Sequence, residues 1–281
     1  MALTLRGNGQ ITSDNYTIDS DGDVTAVNAA VSGTLGVTGD ATFDTSTLKV
    51  DATNNRVGIG TATPSKVLDI TESASADTGQ VKLTYAGGDG NRSGFILNNT
   101  HTGGREYGIY AGNNSTGGGL GNSLGISDNT ASTAYRLLIS SDGYVTNPSQ
   151  PAFNAKNTNS VAISGTVTLT FNEVRSNASN SYNSSNGIFT APIAGQYIFT
   201  HKALYYAFDN TEYLDLYTYV NSSIRNRYEQ TGNSGAHTQV NYAEVVYLNA
   251  NDTFKIVCSN RNIGSYSMYA QENHFSGRLL G

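Results

Sequence analysis

Residues 171–199 read FNEVRSNASNSYNSSNGIFTAPIAGQYIF, and they carry the pattern that most strongly specifies the structure of this chain. Its aromatic, asparagine and glycine residues stand at a fixed spacing, at Phe171, Asn177, Tyr182, Phe189, Gly195, Tyr197 and Phe199. Further along, residues 213–221 alternate, with Leu214, Leu216, Thr218 and Val220 on one side and Tyr213, Asp215, Tyr217 and Tyr219 on the other. An inward-facing set follows at Phe254, Ile256 and Cys258. A period of two residues is typical of β-strands, so this half of the chain is predicted to bury a core of its own.

The spacing in residues 171–199 resembles the signature of the globular head of complement component C1q, a trimeric jelly roll of the TNF-like superfamily. Seven of the eight signature positions match, and the eighth, an aromatic in the family, is His201 here, which we interpret as a packed strand residue. Residues 151–153 resemble the first strand of the family, and residues 275–280 resemble the last. The resemblance covers residues 151–281 and implies a trimeric recognition module rather than an enzyme.

The composition favours an all-β protein. Charged residues are 14% of the 281 residues, well below the roughly 25% of an average globular domain. The balance is made up by Gly, Asn, Ser and Thr, while β-branched residues and tyrosines are plentiful and alternate. This mixture is typical of extended strands joined by many turns. We therefore expect almost no α-helix.

The net charge, the apolar runs and the cysteine count indicate which partners and which cellular location to expect. The formal net charge is −6, and the 16 Lys and Arg residues form no cluster, which argues against nucleic-acid binding. No apolar run approaches the roughly 20 residues of a membrane-spanning helix, so no membrane insertion is expected. The start, MALTLRGNGQ, lacks the apolar segment of a secretory signal, and the single Cys258 excludes an intrachain disulfide. For a stable protein that acts outside the cell, the lack of both a signal and disulfides suggests synthesis in a host cytoplasm and release by lysis, as expected of a virion part.

Short strand-and-turn units recur in the N-terminal half. Ile18–Val24 aligns with Ile139–Val145, and Val50–Val57 is a related unit one residue longer. Each places Asp-Gly or Asn-Asn between β-branched residues, which predicts a tight hairpin because such turns need positive φ. Strands this short cannot bury a core within one chain, whereas three copies wound around a threefold axis could.

Residues 57–70, VGIGTATPSKVLDI, resemble a linker of bacteriophage tail-fibre proteins that joins a fibrous segment to a following module. The whole chain accordingly resembles a short trimeric bacteriophage fibre protein. The implied organisation is a virion-docking end and β stalk over residues 1–48, a linker strand over 49–70, an intermediate β-module over 71–147 and a C1q-like jelly-roll head over 148–281. Within the module, strands are predicted at residues 79–85, 93–98, 107–110 and 135–139.

The fibre resemblance implies adhesion as the function. A homotrimer would dock on other virion proteins through its N-terminal segment and bind a glycan or protein of the bacterial surface through its head, with three weak sites acting together. The candidate loops are residues 207–212, 230–237 and 260–266. The candidate ligand-binding residues are Tyr205, Tyr206, Asp209, Asn210, Glu212, Tyr213, Asn233, His237, Arg261 and Tyr266. Exposed tyrosine gives amphipathic contact area at low entropic cost; the alternative for these tyrosines is packing between sheets or across the threefold axis.

Neither catalysis nor a cofactor is predicted. Gly58-Ile-Gly60 lacks the third glycine of a dinucleotide fingerprint, and the four histidines are not paired at metal-ligand spacing. The resembled family sometimes binds calcium near the trimer apex, and Asp209 and Glu212 are the candidate ligands for it. Two carboxylates fall short of the six or more oxygens that calcium prefers.

Two other classes of function stay open. One is a head fibre, decoration protein or tail-knob component that binds only other virion proteins. The other is a monomeric carbohydrate-binding module or a degenerate depolymerase. Staining of host cells by the isolated trimer separates the first class from the adhesin, and a trimeric mass without activity on host polysaccharide excludes the second.

Overall fold

The structure is a computed structural model that describes residues 16–18, 24–26, 35–43, 47–71, 81–84, 92–112, 121–130, 134–206, 211–232, 237–261 and 266–280. Every regular element in these residues is a β-strand, which confirms the predicted all-β class. Over the same ranges, no helix has the length and apolarity of a membrane span. The chain divides into two units, Met1–Lys82 and Leu83–Gly281.

The N-terminal unit consists of short hairpins. Its strands are β1 (Tyr16–Ile18), β2 (Val24–Ala26), β3 (Ala41–Phe43), β4 (Leu48–Asp51), β5 (Arg56–Ile59) and β6 (Leu68–Ile70). β1 pairs with β2, and β3, β4 and β5 form an antiparallel sheet to which β6 adds in parallel. Ile18 opposes Val24 and Val50 opposes Val57, as the repeats predict. Asn55, in the turn after β4, has a φ of 54°, which is the left-handed conformation that such turns need.

This unit leaves large apolar side chains in solvent. Phe43 is 56% exposed, Ile59 is 42% exposed and Leu68 is 57% exposed. Strands of three or four residues offer too few inward positions to enclose such side chains. The exposure agrees with the expectation that these strands do not bury a core within one chain, and the threefold stalk stays a prediction.

The second unit begins with a five-stranded antiparallel meander, which we call the meander sheet. Its strands, in sheet order, are β7 (Ser93–Asn98), β8 (Glu106–Ala111), β9 (Leu124–Asp128), β10 (Ala134–Ile139) and β11 (Val145–Thr146). The strands predicted at 93–98, 107–110 and 135–139 are confirmed. The strand predicted at 79–85 is wrong over the described residues 81–84, which lie in no strand.

The rest of the unit is a sandwich of two antiparallel sheets. Its strands are β12 (Ala152–Lys156), β13 (Val161–Ile163), β14 (Thr166–Thr168), β15 (Glu173–Ala178), β16 (Tyr182–Asn183), β17 (Ile188–Thr190), β18 (Gly195–Tyr205), β19 (Tyr213–Val220), β20 (Ser223–Thr231), β21 (Thr238–Leu248), β22 (Thr253–Arg261), β23 (Tyr266–Met268) and β24 (His274–Leu279). One sheet has the order β13-β23-β18-β24-β12-β15, with β21 also paired to β18; the other has the order β16-β17-β22-β19-β20, with β14 also paired to β22. Consecutive strands such as β17 and β18 lie in different sheets, which gives the predicted jelly roll.

Aromatic residues of the signature fill the core between these sheets. Phe171, Phe189, Tyr197 and Phe199 are fully buried. Phe199 on β18 stacks on Phe254 of the opposite sheet, with ring centroids 3.9 Å apart and ring planes at 3°. The spacing in the sequence therefore specifies the layer of rings that joins the two sheets.

Asn177 of the signature closes a turn. Its Oδ1 accepts a hydrogen bond from the Tyr182 N–H at 3.0 Å, and its Nδ2 donates to the Tyr182 carbonyl at 2.8 Å. The turn includes Ser179 and Asn180, which have φ values of 67° and 49°. Tyr182 is thereby directed into the core, where its hydroxyl accepts a hydrogen bond from the Phe171 N–H at 3.1 Å. Burial of the Tyr182 hydroxyl raises its pKa.

His201 occupies the signature position of an aromatic and is packed as one, as predicted. It is buried on β18, with its ring centroid 5.7 Å from that of Phe171 and 5.3 Å from that of Tyr242. Its Nδ1 lies 3.1 Å from the His274 carbonyl oxygen, and its Nε2 has no hydrogen-bond partner. Burial in this apolar surrounding lowers the pKa of His201 to about 4.

The alternation predicted for residues 213–221 includes one polar residue that is buried. Leu214 and Leu216 lie in the core. Asp215 points to the opposite side, as predicted, yet only 1% of it is exposed. Arg227 of the neighbouring strand β20 donates to Asp215 Oδ1 through Nε at 3.1 Å and through Nη2 at 2.8 Å. A long arginine side chain that lies across the sheet covers the carboxylate, which strand periodicity alone does not predict.

Replacing Gly277 with alanine is expected to destabilise the sandwich by about 1–3 kcal/mol, because an added methyl group overpacks the core. A Cβ at this position would lie 2.5 Å from Phe199 Cδ1 and 2.7 Å from Phe153 Cε1. Urea unfolding at a fixed protein concentration measures the loss. Another glycine such as Gly143 cannot serve as the control, because its φ of 82° makes alanine unfavourable there whatever the packing. The control is Ser276→Ala, on the outer side of the strand that carries Gly277. An unchanged unfolding midpoint for Gly277→Ala would contradict the close packing of the rings over this strand.

Candidate functional site

The three loops predicted to bind a ligand emerge from one end of the sandwich. Tyr205, the last residue of β18, opposes Thr238, the first residue of β21. Tyr213, the first residue of β19, opposes both Thr231 at the end of β20 and Arg261 at the end of β22. The register therefore brings the segments after residues 205, 231 and 261 to a common end, which we call the loop end.

Three aromatic residues of the loop end form a contact group, which we call the aromatic cluster: Tyr206, His237 and Tyr269. The rings of Tyr206 and Tyr269 stack with centroids 4.0 Å apart and planes at 20°. The His237 ring stands edge-on to Tyr269 at 4.7 Å and to Tyr206 at 6.0 Å. The Tyr269 hydroxyl lies 3.1 Å from His237 Nε2.

Backbone hydrogen bonds fix the positions of the two tyrosines. The Tyr206 N–H donates to the Ser267 carbonyl at 3.0 Å, and the Tyr269 N–H donates to the Leu204 carbonyl at 2.8 Å. Both tyrosines are thus tied to the pairing of β18 with β23. The cluster rests on rigid strands although it belongs to the loop end.

The aromatic cluster combines ring surface with polar groups at the surface of the protein. Tyr206 is 38% exposed, His237 is exposed and Tyr269 is half-buried. Tyrosine hydroxyls and an imidazole both donate and accept hydrogen bonds, while the rings offer apolar contact area. This combination is suited to contact with a ligand that has both apolar and polar groups.

The other predicted site residues lie in different positions. Tyr205 is a correction: it is fully buried in the core because it continues the inward alternation of β18, and it is not part of a binding surface. Glu212 and Tyr213 are half-buried at the loop end, where the Glu212 carbonyl accepts a hydrogen bond from the Gly232 N–H at 3.0 Å. The remaining candidates lie outside the described residues or side chains: Asp209, Asn210, Asn233, Arg261 and Tyr266.

Tyr269 is not among the site residues predicted from the sequence. The residue follows β23 and precedes a turn, so no alternation marks it. The one sequence feature that could have indicated Tyr269 as a site residue is its position close to the predicted loop of residues 260–266. Its place in the cluster depends on the β18–β23 pairing, which joins residues distant in sequence.

The described residues contain neither a metal-ligand group of three nor a nucleophile elbow. Among the residues that the structure describes, no three His, Cys, Asp or Glu side chains are placed to hold a metal ion. Asp209 is outside these residues, so calcium binding at Asp209 and Glu212 remains untested. Residues 121–125, GNSLG, have the Gly-x-Ser-x-Gly spacing of a hydrolase elbow, but a strand, β9, begins at Leu124. An elbow needs a strand-to-helix turn with an exposed serine at its tip, so this segment does not form one.

Comparisons with known proteins concern the C-terminal half. The globular domain of zebrafish complement 1qA protein is 19% identical and aligns over 47% of this chain and 98% of its own, with a TM-score of 0.37. Eiger TNF from S. frugiperda is 14% identical over 47% and 93% of the two chains, with a TM-score of 0.37, and murine APRIL is 9% identical over 47% and 99%, with a TM-score of 0.36. No curated protein sequence matches the chain. The family model described as the C1q domain matches residues 152–280, so this part of the chain is similar to a C1q domain, and we call it the C1q-like domain.

Proposed function

We propose that this chain is a homotrimeric fibre component of a bacteriophage virion, and that it adheres to a glycan or protein of the bacterial surface through the loop end of its C1q-like domain. The aromatic cluster carries the adhesive part of the proposal. Tyr206, His237 and Tyr269 present ring surface and hydrogen-bonding groups on a rigid support, which are the properties of a recognition surface.

Trimerisation is supported by the domain type. C1q-like and TNF-like domains commonly mediate trimerisation and binding, and residues 152–280 match the C1q domain model. In a trimer, three aromatic clusters would act on one surface, so weak single contacts would add up through effective concentration. The exposed apolar side chains of the N-terminal unit, such as Phe43 and Leu68, are also consistent with cover by other copies.

The virion assignment is supported by the linker-like residues 57–70. Gly58 and Gly60 of this segment are needed for its close turn: a Cβ at Gly58 would lie 2.6 Å from the Thr61 carbonyl oxygen, and Gly60 has a φ of 76°. Arg56 Nη1 donates to the Pro64 carbonyl at 2.8 Å and holds the turn from the other side. The proposal includes docking of the N-terminal segment on other virion proteins, synthesis in the host cytoplasm and release by lysis.

Alanine at both Tyr206 and Tyr269 is expected to reduce binding of the fluorescently labelled full-length protein to bacterial cells by about tenfold or more, as for the loss of a central aromatic contact. Flow cytometry over a panel of bacterial strains measures the staining. The control is Tyr144→Ala, since Tyr144 is 72% exposed in the meander sheet and lies outside the cluster.

Equal staining by the double variant and the unmodified protein, on strains that the unmodified protein stains, would show that the aromatic cluster is not the binding surface. Absence of staining on every strain, with a trimeric mass by light scattering, would instead favour a fibre or decoration protein that binds only virion proteins.

A further inference from the structure

One face of the meander sheet is almost entirely apolar, and we call it the apolar face. Phe95 opposes Ile109, Ile109 opposes Ile126, and Ile126 opposes Leu137. Directly opposed residues of antiparallel strands point to the same side of the sheet. By this register and the period of two, the same side carries Leu97, Leu124, Ile139 and Val145, together with the polar Ser93 and Asp128 at its borders.

Much of this face is open to solvent in the single chain. Phe95 is 52% exposed, Leu97 is 59% exposed and Val145 is 60% exposed. Five strands about 4.8 Å apart, with four or five residues rising about 3.3 Å each, make a surface of roughly 300–400 Å². This is about the size of the largest apolar patch on a typical monomeric protein, and such a patch is often functional.

Part of the opposite face is covered by side chains of the chain itself. Tyr110 is only 8% exposed and lies over Gly94 and Gly108, where a Cβ would collide with its ring. The Arg92 guanidinium carbon stands 4.4 Å above the Tyr110 ring centroid, and Asn129 Nδ2 donates to the Tyr110 hydroxyl at 2.8 Å. The chain therefore covers the β8 part of the opposite face with its own side chains, whereas Ile96 on β7 is 58% exposed there. On the apolar face the exposure extends across the sheet from Phe95 to Val145, and we assign this side to a contact with another molecule.

The connection to the C1q-like domain indicates which molecule that is. Only residues 147–151 separate β11 from β12. This connection is hydrogen-bonded to the C1q-like domain and to the meander sheet. Gln150 Nε2 donates to the Leu279 carbonyl of the last strand at 2.9 Å, and Arg136 Nη1 of the meander sheet donates to Ser149 Oγ at 3.1 Å. A trimer of C1q-like domains would hold three meander sheets close together, at a high effective concentration for mutual contact.

We propose that the apolar face packs against the same face of the other copies in the trimer. This inference rests on the proposed homotrimer. The face of roughly 300–400 Å² is smaller than the roughly 800 Å² per partner of an independent stable interface, so it associates only when the C1q-like domains hold the copies together. At one edge it ends at Asp128, which is paired with Arg105 and Arg136, as in an apolar interface with a charged rim.

Single cysteines introduced at neighbouring positions test this contact in the full chain. Phe95→Cys and Leu97→Cys place the thiol on the apolar face, and Ile96→Cys places it on the opposite face at a similar exposure, 58%. We expect the thiols at residues 95 and 97 to react with a maleimide about tenfold or more slowly than the thiol at residue 96, as for buried groups. In urea all three should react equally. The native Cys258 is fully buried, and the unmodified chain gives its background.

The solution mass, measured on the same samples by light scattering, separates this inference from the proposed function. A trimeric mass with slow labelling at residues 95 and 97 supports the inference. A trimeric mass with equal labelling at all three positions overturns it and leaves the trimeric adhesin standing. A monomeric mass overturns both, whatever the labelling rates.

Discussion

Replacement of Phe199 by alanine is expected to lower the free energy of unfolding of the C1q-like domain by about 3–5 kcal/mol. Phe199 is fully buried and stacks on Phe254 at 3.9 Å, while the ring of Phe189 stands edge-on to it at 5.1 Å. These neighbours belong to strands of the opposite sheet, so the ring joins the two layers. Its removal loses the transfer free energy of the aromatic group and leaves a cavity that the rigid sheets cannot close.

Urea unfolding followed by far-ultraviolet circular dichroism measures this loss, at one fixed protein concentration because oligomers gain stability with concentration. Phe199→Leu is the matched control, since it keeps most of the buried volume and should lose clearly less stability than the alanine variant. Tyr144→Ala, at a side chain that is 72% exposed, should change stability by less than about 0.5 kcal/mol. If Phe199→Ala unfolds at the same urea concentration as the unmodified chain, the stacked ring layer does not hold the sheets together.

The same ring layer shows why the sequence predicts this domain well. Phe171, Phe189, Tyr197 and Phe199 occupy inward positions, and a core position of a β-sandwich must be apolar at every second residue. The spacing of these aromatic residues therefore predicts their core positions from the sequence alone. Asn177 is readable for another reason, because a side-chain amide that bonds both backbone groups of Tyr182 allows few substitutes.

The sequence does not predict the burial of a side chain that is covered by a residue of another strand. Asp215 alternates as an outward residue, and only the pairing of β19 with β20 shows that Arg227 covers it. At the loop end, too, burial depends on features that the local sequence does not show. Tyr205 and Tyr206 are adjacent in the sequence, yet one ring is buried and the other is 38% exposed, because β18 ends between them. Tyr269 joins Tyr206 through a contact across 63 positions (269 − 206), which no local pattern encodes.

The free energy of unfolding is expected to fall by about 3 kcal/mol between pH 7 and pH 4 through His201 alone, since its pKa is lowered from 6.5 to about 4 by burial. The unfolded chain takes up a proton on this imidazole as the pH falls through 6.5, whereas the folded domain takes it up only near pH 4. The unfolded state therefore binds more protons across this window, and stability decreases as the pH falls. The cause is structural: the ring lies among Phe171 and Tyr242, and its Nε2 has no acceptor for a second proton.

His201→Phe is expected to remove this pH dependence, because phenylalanine restores an aromatic ring at the signature position and carries no titratable group. Carboxylates also titrate in acid, so the informative quantity is the difference in unfolding free energy between variant and unmodified chain, measured in urea at pH 7 and at pH 4. That difference should shift in favour of the variant by about 3 kcal/mol on acidification. His101→Phe, at an exposed histidine, is the control and should show no such shift. One contrary outcome is an equal shift of this free-energy difference in both variants, and another is no shift in His201→Phe. Either would mean that the imidazole of His201 reaches solvent in the folded domain, and that the packing of β18 against the ring layer is wrong at this position.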